Sequence, residues 1–235
     1  MEKPLPKTIV VVPTYNESDN LPTLASEILA SPVQLVIVDD NSPDGTGWIA
    51  DGIAKGEPQV HVIHRPCKLG LGTAYIAGFR QALSWGAERV VTMDADFSHH
   101  PRYLPSLISR SQTAGLVIGS RYVDGGGTLH CTLARRILSR SANTFARLAL
   151  GLQAHDCTAG FRCYRRELLE LIELDELFSD GYSFLIEILY RCQKKGFQIS
   201  EVPIIFQNRR QGTSKISRPE IIQALYTVLR LRLGR

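Results

Sequence analysis

The sequence predicts an α/β protein built on a doubly wound, mostly parallel sheet, with amphipathic helices closing the chain. Three observations predict it. Short apolar runs rich in valine and isoleucine recur through the first half, helix-patterned segments lie between them, and polar, carboxylate-bearing sets stand directly after the runs. Runs that are apolar at nearly every position belong to strands covered on both faces, which is the condition of a parallel sheet between helical layers.

The first run, TIVVVP at 8–13, leads into PTYNE; a helix pattern, NLPTLASEILA at 20–30, follows with Ser18 and Asp19 as candidate caps. The second run, VQLVIVDD at 33–40, ends on two carboxylates and opens into NSPDGT, where Asp44 suits a helix cap and Gly45 a tight turn. VHVIHR at 60–65 is the third. LGTAYIAGFRQALSWG at 71–86 reads as a helix stopped by glycine. RVVTMDAD at 89–96 and GLVIGSR at 115–121 complete the strands, and DGGGT at 124–128 reads as a mobile loop, because consecutive glycines constrain the backbone little. Helices are expected near 133–150, where Arg136, Arg140 and Arg147 share a face, and over 182–195. QISEVPIIFQNRR then leads into QGTSK, and the amphipathic PEIIQALYTVLRLRL closes the chain within 219–235.

With 235 residues, 44% of them hydrophobic, one domain spanning 1–235 is expected. The formal charge of +4 is mild, but its basic residues crowd into the second half, which favours an anionic ligand or membrane surface over nucleic acid. Five cysteines without a Cys-x-x-Cys pair point to reduced thiols and a cytoplasmic setting. The N-terminal apolar segment is too short for a signal peptide, and no run reaches the roughly 18 apolar residues of a membrane span.

Ligands of such sheets bind beyond the carboxyl ends of the strands, where PTYNE, DDNSPDGT and DADFSHHP all fall. Pro13, Tyr15, Asn16 and Glu17 suit a base or ribose, and so does one of Asp39 and Asp40. GLG at 70–72 lacks the third glycine of a dinucleotide fingerprint and is not in the first turn, so hydride transfer is set aside. Asp94 and Asp96, one residue apart on an extended strand, would present both carboxylates on one side; that repels unless a cation lies between them. Magnesium and manganese favour one or two carboxylates together with substrate phosphates. A solvated acidic turn is the competing reading of the pair, and His99 and His100, before a proline, read as turn residues more than as metal ligands. Arg121, Arg135, Arg136, Arg140, Arg162, Arg209 and Lys215 fall in separate segments; a solvated basic face is their default, yet Arg121 after a strand and Arg209 before QGTSK could hold phosphate by forked donors.

VVPTYNESDNL, VIVDDNSPDGT, LGLGTAYIAGF, MDADFSHHP, GSRY, RRILSRSAN, TAGFRCYRR and QGTSK, in that order, resemble the dolichol-phosphate mannosyltransferases, or polyprenol monophosphomannose synthases, of the inverting family 2 glycosyltransferases. The likeness runs from about residue 8 to 218. It implies a GT-A fold and transfer of mannose from GDP-mannose to a polyprenyl or dolichyl phosphate, with Mg2+ or Mn2+ as cofactor. Carried over by residue, Pro13, Tyr15, Glu17, Asp39 and Asp40 line the donor nucleotide pocket. Asp94, Ala95 and Asp96 form the donor and metal motif, with Ser98 at the third metal-side position, where many relatives have glutamine. Arg121, Arg135 and Arg140 receive the acceptor phosphate, and Arg209 and Lys215 close on the donor phosphates.

Since several such relatives add transmembrane helices, the expected setting is the cytoplasmic face of a membrane, held peripherally by the last helix or by a small membrane-anchoring subunit. Two rival readings are a glucosyltransferase that uses UDP-glucose on the same lipid, and a catalytically silent nucleotide-binding subunit. The Asp94, Asp96 and Arg121 set weighs against the silent subunit.

Overall fold

A computed structural model describes residues 7–207 and 218–234, the side chains of the last segment from residue 222 onward. Strands β1 (Thr8–Thr14), β2 (Gln34–Asp39), β3 (Val60–His64), β4 (Arg89–Thr92), β5 (Leu116–Ser120), β7 (Arg162–Arg165) and β8 (Ile199–Pro203) form one sheet in the order β3-β2-β1-β4-β7-β5-β8. All run the same way except β7, which pairs antiparallel with both β4 and β5. Two further strands, β6 (Gly127–Leu129) and β9 (Ile205–Gln207), make a separate parallel pair.

Both faces of the sheet are covered, as the continuous apolar runs require. Ile9, Val11, Val36 and Val38 pack with helices α3 (Leu71–Ser84) and α7 (Gly181–Lys194), while the alternating Val10, Val12, Leu35 and Ile37 meet α1 (Leu21–Leu29), α2 (Thr46–Gly56) and α4 (Leu104–Arg110). Helix α3 comes so close to β1 that a Cβ at Gly78 would lie 2.2 Å from Val11 Cγ1. A short helix α6 (Arg166–Leu171) follows β7. Helix α5 (Leu133–Leu150) lies mostly in solvent, and α8 (Arg218–Arg232) packs against α5 and α7, sending Val228 and Leu231 into the core.

Several expectations change. The strand before Asp94 stops at Thr92, so Asp94, Ala95 and Asp96 sit in a turn; the left-handed φ of 58° at Phe97 bends the chain there, and the pairing is not that of an extended strand. Asn20, not Ser18 or Asp19, occupies the N-cap position of α1, without a side-chain capping bond, and the Ser18 amide donates to Asp44. The 124–128 segment is not a free loop: Gly127 and Thr128 pair with Ile205 and Phe206, and a Cβ at Gly126 would lie 2.6 Å from the Ser120 carbonyl oxygen, a close approach only glycine permits. Arg162 is not surface charge. It is fully buried in β7, donating to the carbonyls of Ala159, Cys157 and Leu185. All five cysteines are free thiols. Among the described residues, no helix is long and apolar enough to cross a membrane.

Candidate active site

The parallel register places Thr14 beside Asp39, so the loops after β1, β2 and β4 meet at one edge of the sheet. Their side chains tie the loops together. Asp39 Oδ1 accepts from Thr14 Oγ1 at 3.0 Å and from Ser42 Oγ at 2.6 Å, and its Oδ2 accepts from the Ser42 amide. Asp44 accepts from the amides of Ser18 and Thr46, and the Thr46 hydroxyl accepts from the Glu17 amide. Burial opposes ionisation of Asp44, but the hydrogen bonds from Thr46 and Ser18 outweigh it and hold its carboxyl below the ordinary value. Asn16 and Asn41 adopt left-handed φ of 60° and 55° at this edge, a conformation asparagine tolerates and functional sites often contain.

Asp40 turns inward to Arg65, whose Nε lies 2.7 Å from Asp40 Oδ1. Burial raises the Asp40 carboxyl above its ordinary value in spite of Arg65 and the Leu69 amide. Asp40 therefore ties down the loop after β3 through Arg65 and the Leu69 amide. That loop carries Lys68, whose Nζ sits 4.1 Å from the ring centre of Tyr15. Pro13 is in β1 beside Val38, and Glu17 accepts from the Asn20 amide nitrogen.

The carboxylate pair lies further along the edge. Tyr75 Oη donates to Asp94 Oδ1 at 3.0 Å; burial, reinforced by the Asp94 charge, keeps this phenol well above its ordinary pKa and hence a fixed donor. Asp96 accepts from the Ser98 amide at 3.0 Å, and Ala95 between them joins the core. His99 is buried, stacked on Phe161, with Nδ1 3.5 Å from Asp94 Oδ2. His100 accepts from the Arg102 amide, the turn role expected of it.

A divalent cation fits these residues. Ser98 Oγ is buried without a hydrogen-bond partner, and Gly160 leaves room where a Cβ would come 3.3 Å from Asp94 Oδ1. Among the described residues, no three His, Cys, Asp or Glu side chains cluster around one position; Mg2+ and Mn2+ use one or two carboxylates together with waters and substrate phosphates.

Beside the pair is a cavity of about 100 Å³ lined by Arg121, Tyr122, Arg135, Arg136, Arg140 and Phe206 among others. Three of the arginines come from α5 and one from the turn after β5. Phe206 joins cavity and carboxylates: the Arg121 guanidinium lies 5.3 Å from its ring centre, and the His99 ring meets its edge at 5.6 Å. Arg121 is not free to fork onto a phosphate with Nε and Nη2. Both are 2.7 Å from the fully buried carboxylate of Asp156. Burial penalises the Asp156 charge, but Arg121 outweighs it and holds the carboxyl below its ordinary value.

The structure thus brings together Asp94, Asp96 and Ser98, and separately Arg121, Arg135 and Arg140. Arg209 and Lys215 lie outside the described residues. Sequence reasoning missed Arg65, Lys68, Tyr75, Asp156 and Phe206. HDCTAGFR at 155–162 held one signal, an aspartate two residues before a Thr-Ala-Gly turn, but its partner Arg121 is 35 positions away.

A sequence-family model described as glycosyl transferase family 2 matches residues 9–172. Polyprenol monophosphomannose synthase of Mycolicibacterium smegmatis is 46% identical over 230 residues, covering 96% of this chain and 87% of that protein. Undecaprenyl-phosphate mannosyltransferase of Micrococcus luteus is 45% identical over 230 residues, covering 97% of this chain and 95% of that protein. Among solved structures, glucosyl-3-phosphoglycerate synthase from Mycobacterium tuberculosis, with Mn2+, UDP and glucosyl-3-phosphoglycerate, aligns with a TM-score of 0.68 at 23% identity, over 97% of this chain and 80% of that one. A mannosyltransferase from Pyrobaculum calidifontis in complex with GDP-Man and Mn2+ aligns with a TM-score of 0.64 at 18% identity, over 96% of this chain and 64% of that one. At those identities the structural likeness concerns the fold.

Proposed function

This chain belongs to glycosyl transferase family 2, and from that premise we propose that it transfers mannose from GDP-mannose to a polyprenyl phosphate with inversion, releasing GDP. The observation that carries the reading is the juxtaposition of the Asp94 and Asp96 carboxylates with a four-arginine cavity, linked through the His99 and Phe206 rings. One half of that arrangement suits a cation-bound diphosphate, the other a phosphate monoester.

A phosphate monoester has a second pKa of about 6 and is mostly dianionic at neutral pH, so its oxygen attacks the anomeric carbon without a general base. The new bond joins that oxygen to the sugar carbon as the bond to the diphosphate oxygen breaks on the opposite face. Arg121, Arg135, Arg136 and Arg140 neutralise and align the nucleophile. Asp94, Asp96 and Ser98 would hold a divalent cation, Mg2+ or Mn2+, which neutralises charge on the departing diphosphate. Tyr75 fixes the Asp94 carboxylate through its hydrogen bond. The loops bearing Tyr15, Glu17 and Asp39 bind the nucleoside, and Arg209 and Lys215 are assigned to the donor phosphates on the sequence resemblance alone.

Peripheral association with a membrane surface belongs to the same proposal. The apolar stripe of α8 is not packed away: Ile222, Leu225, Leu229 and Leu233 are exposed, and α5 exposes Leu133, Ile137 and Leu148. The basic residues of that helix that could face headgroups, Arg230 and Arg232, make contacts with the protein. Arg230 lies over the Phe178 ring, and Arg232 donates to the Ala149 carbonyl. The outward charge comes from α5.

Purified protein, labelled GDP-mannose or UDP-glucose, a polyprenyl phosphate and Mg2+ or Mn2+, followed by extraction of the lipid product, tests the reading. Label in the lipid from GDP-mannose alone is expected. Label from UDP-glucose alone replaces the donor, and no label with either overturns the transferase reading.

A further inference from the structure

The Arg121 guanidinium is held on two sides by the protein itself. Asp156 takes Nε and Nη2 at 2.7 Å each and accepts from the Arg121 backbone amide at 3.1 Å. Thr158 Oγ1 accepts from Nη2 at 2.8 Å. Of the five N–H donors of an arginine, those on Nη1 are the ones left without a protein acceptor among the described residues. Asp156 is anchored in turn: its amide donates to Glu201 Oε1, and Glu201 Oε2 accepts from the His155 amide. Asn143, the buried polar anchor of α5, accepts from the Cys157 amide and donates to Thr158 Oγ1.

A buried ion pair is poorly explained by stability alone, because apolar side chains of similar volume often serve as well without the desolvation of two charges. Arg121 lies on the wall of the cavity, and Asp156, fully buried behind it, occupies the Nε–Nη2 edge and leaves Nη1 unclaimed. Its frame also includes the helix that supplies the other arginines.

We propose that Asp156 is a positioning residue for transfer: by occupying the Nε–Nη2 fork it presents the Nη1 edge of Arg121 to the acceptor phosphate and fixes that edge relative to Arg135, Arg136 and Arg140. This rests on the mannosyl-transfer reading above. Acceptor phosphate is then gathered by single edges of several arginines, not by one bidentate fork. Lysine at 121 has one nitrogen and cannot satisfy Asp156 and the phosphate together.

The test is a double-mutant cycle on the purified full chain, with GDP affinity and acceptor kinetics as separate readouts. Asp156→Asn is expected to lower acceptor kcat/KM by about a hundredfold, the scale of a misplacement of about 1 Å, with GDP affinity nearly unchanged. In an Arg121→Gln background the same change should add nothing, since the residue it acts through is gone. Thr158→Val, a milder change at the same guanidinium, should move acceptor KM in the same direction and keeps the test open if Asp156→Asn does not fold. Losses that multiply in the double variant, or that fall equally on GDP affinity and acceptor KM, overturn the positioning role while the wild-type activity stands. A wild-type protein that gives no lipid-linked mannose overturns the reading of function itself.

Discussion

The donor and acceptor sides of the site are built from the same residue chemistry but held in different ways. On the proposed donor side, Asp39 ends the buried strand β2, Asp40 follows it and Asp44 lies in the turn before α2, and each is tied by hydrogen bonds or an ion pair to loops on the same edge. On the acceptor side, the arginines ride on α5, which buries only Asn143, Ala146 and Leu150 and leaves Leu148 78% exposed. The difference teaches where preorganisation comes from. On the proposed assignment, a soluble nucleotide meets a finished pocket, whereas a lipid-linked phosphate meets a helix whose apolar face is still uncovered, beside Arg121, which Asp156 and Thr158 hold from behind.

The largest effect that would break this division is expected at the carboxylate pair. Asp94→Asn or Asp96→Asn should lower transfer by about a thousandfold if the pair holds the catalytic cation, a several-kcal/mol contribution to the barrier. Thermal unfolding should move little, because asparagine keeps the side-chain oxygen that accepts from Tyr75 at position 94 or from the Ser98 amide at position 96. Full activity in either variant, with a divalent cation still required, would remove the donor-side metal assignment.

The two buried Asp–Arg pairs sharpen the comparison next. Asp156 has its folded pKa below that of the free side chain. Its contribution is therefore full at neutral pH and is lost as pH falls from about 4, the free value, through the folded one. Asp40 is displaced the other way, so its ionised form weighs against the fold once pH rises above that same region. Asp156→Asn should cost about 3 kcal/mol at pH 7, as breaking one side of a buried pair does, with the cost shrinking on acidification. Asp40→Asn should cost less at pH 7 and show the opposite trend. Urea unfolding at neutral and acidic pH measures both, and equal, pH-independent losses would show that the two pairs do the same work.

Smaller again is the effect of the α5 arginines. Arg135→Gln and Arg140→Gln should each raise acceptor KM about tenfold, the loss of one charge-assisted contact, with GDP affinity unchanged. Calorimetry with GDP separates the two sides, and a loss of GDP affinity in either variant would move the cavity to the donor.

Much of this was legible in the sequence because it is local. The valine and isoleucine runs gave the parallel strands, and DADFSHHP, DDNSPDGT and PTYNE gave the edge where they meet. What was not legible depends on distant pairing. RCYR has no apolar run, yet it is a central antiparallel strand, because three backbone carbonyls satisfy Arg162 so fully that an arginine can occupy the core. Nothing near Asp40 or Arg121 in the sequence signals that Asp40 pairs with Arg65 or that the Arg121 fork is held by Asp156. The order of DGGGT is set by β9, far along the chain, and by the backbone that Gly126 touches.

The smallest expected effect concerns how the acceptor side meets the lipid. If α5 is finished by a membrane surface, its exposed Leu133, Ile137 and Leu148 enter the interface while Arg135 and Arg136 reach anionic headgroups, at about 1 kcal/mol for each arginine near the surface. The exposed stripe of α8 adds apolar area, and its Arg230 and Arg232 keep their charge but are directed to Phe178 and the Ala149 carbonyl. Co-sedimentation with anionic vesicles should then fall with added salt and fall further when Arg135 and Arg136 are replaced by glutamine, whereas replacing Arg230 and Arg232 should matter less. Leu133→Ser with Leu148→Ser should weaken binding even at low salt, when the charges remain. Binding that ignores salt and the α5 arginines but disappears with the leucines would point to an apolar protein partner on this face, and binding lost only with Arg230 and Arg232 would return the contact to the last helix.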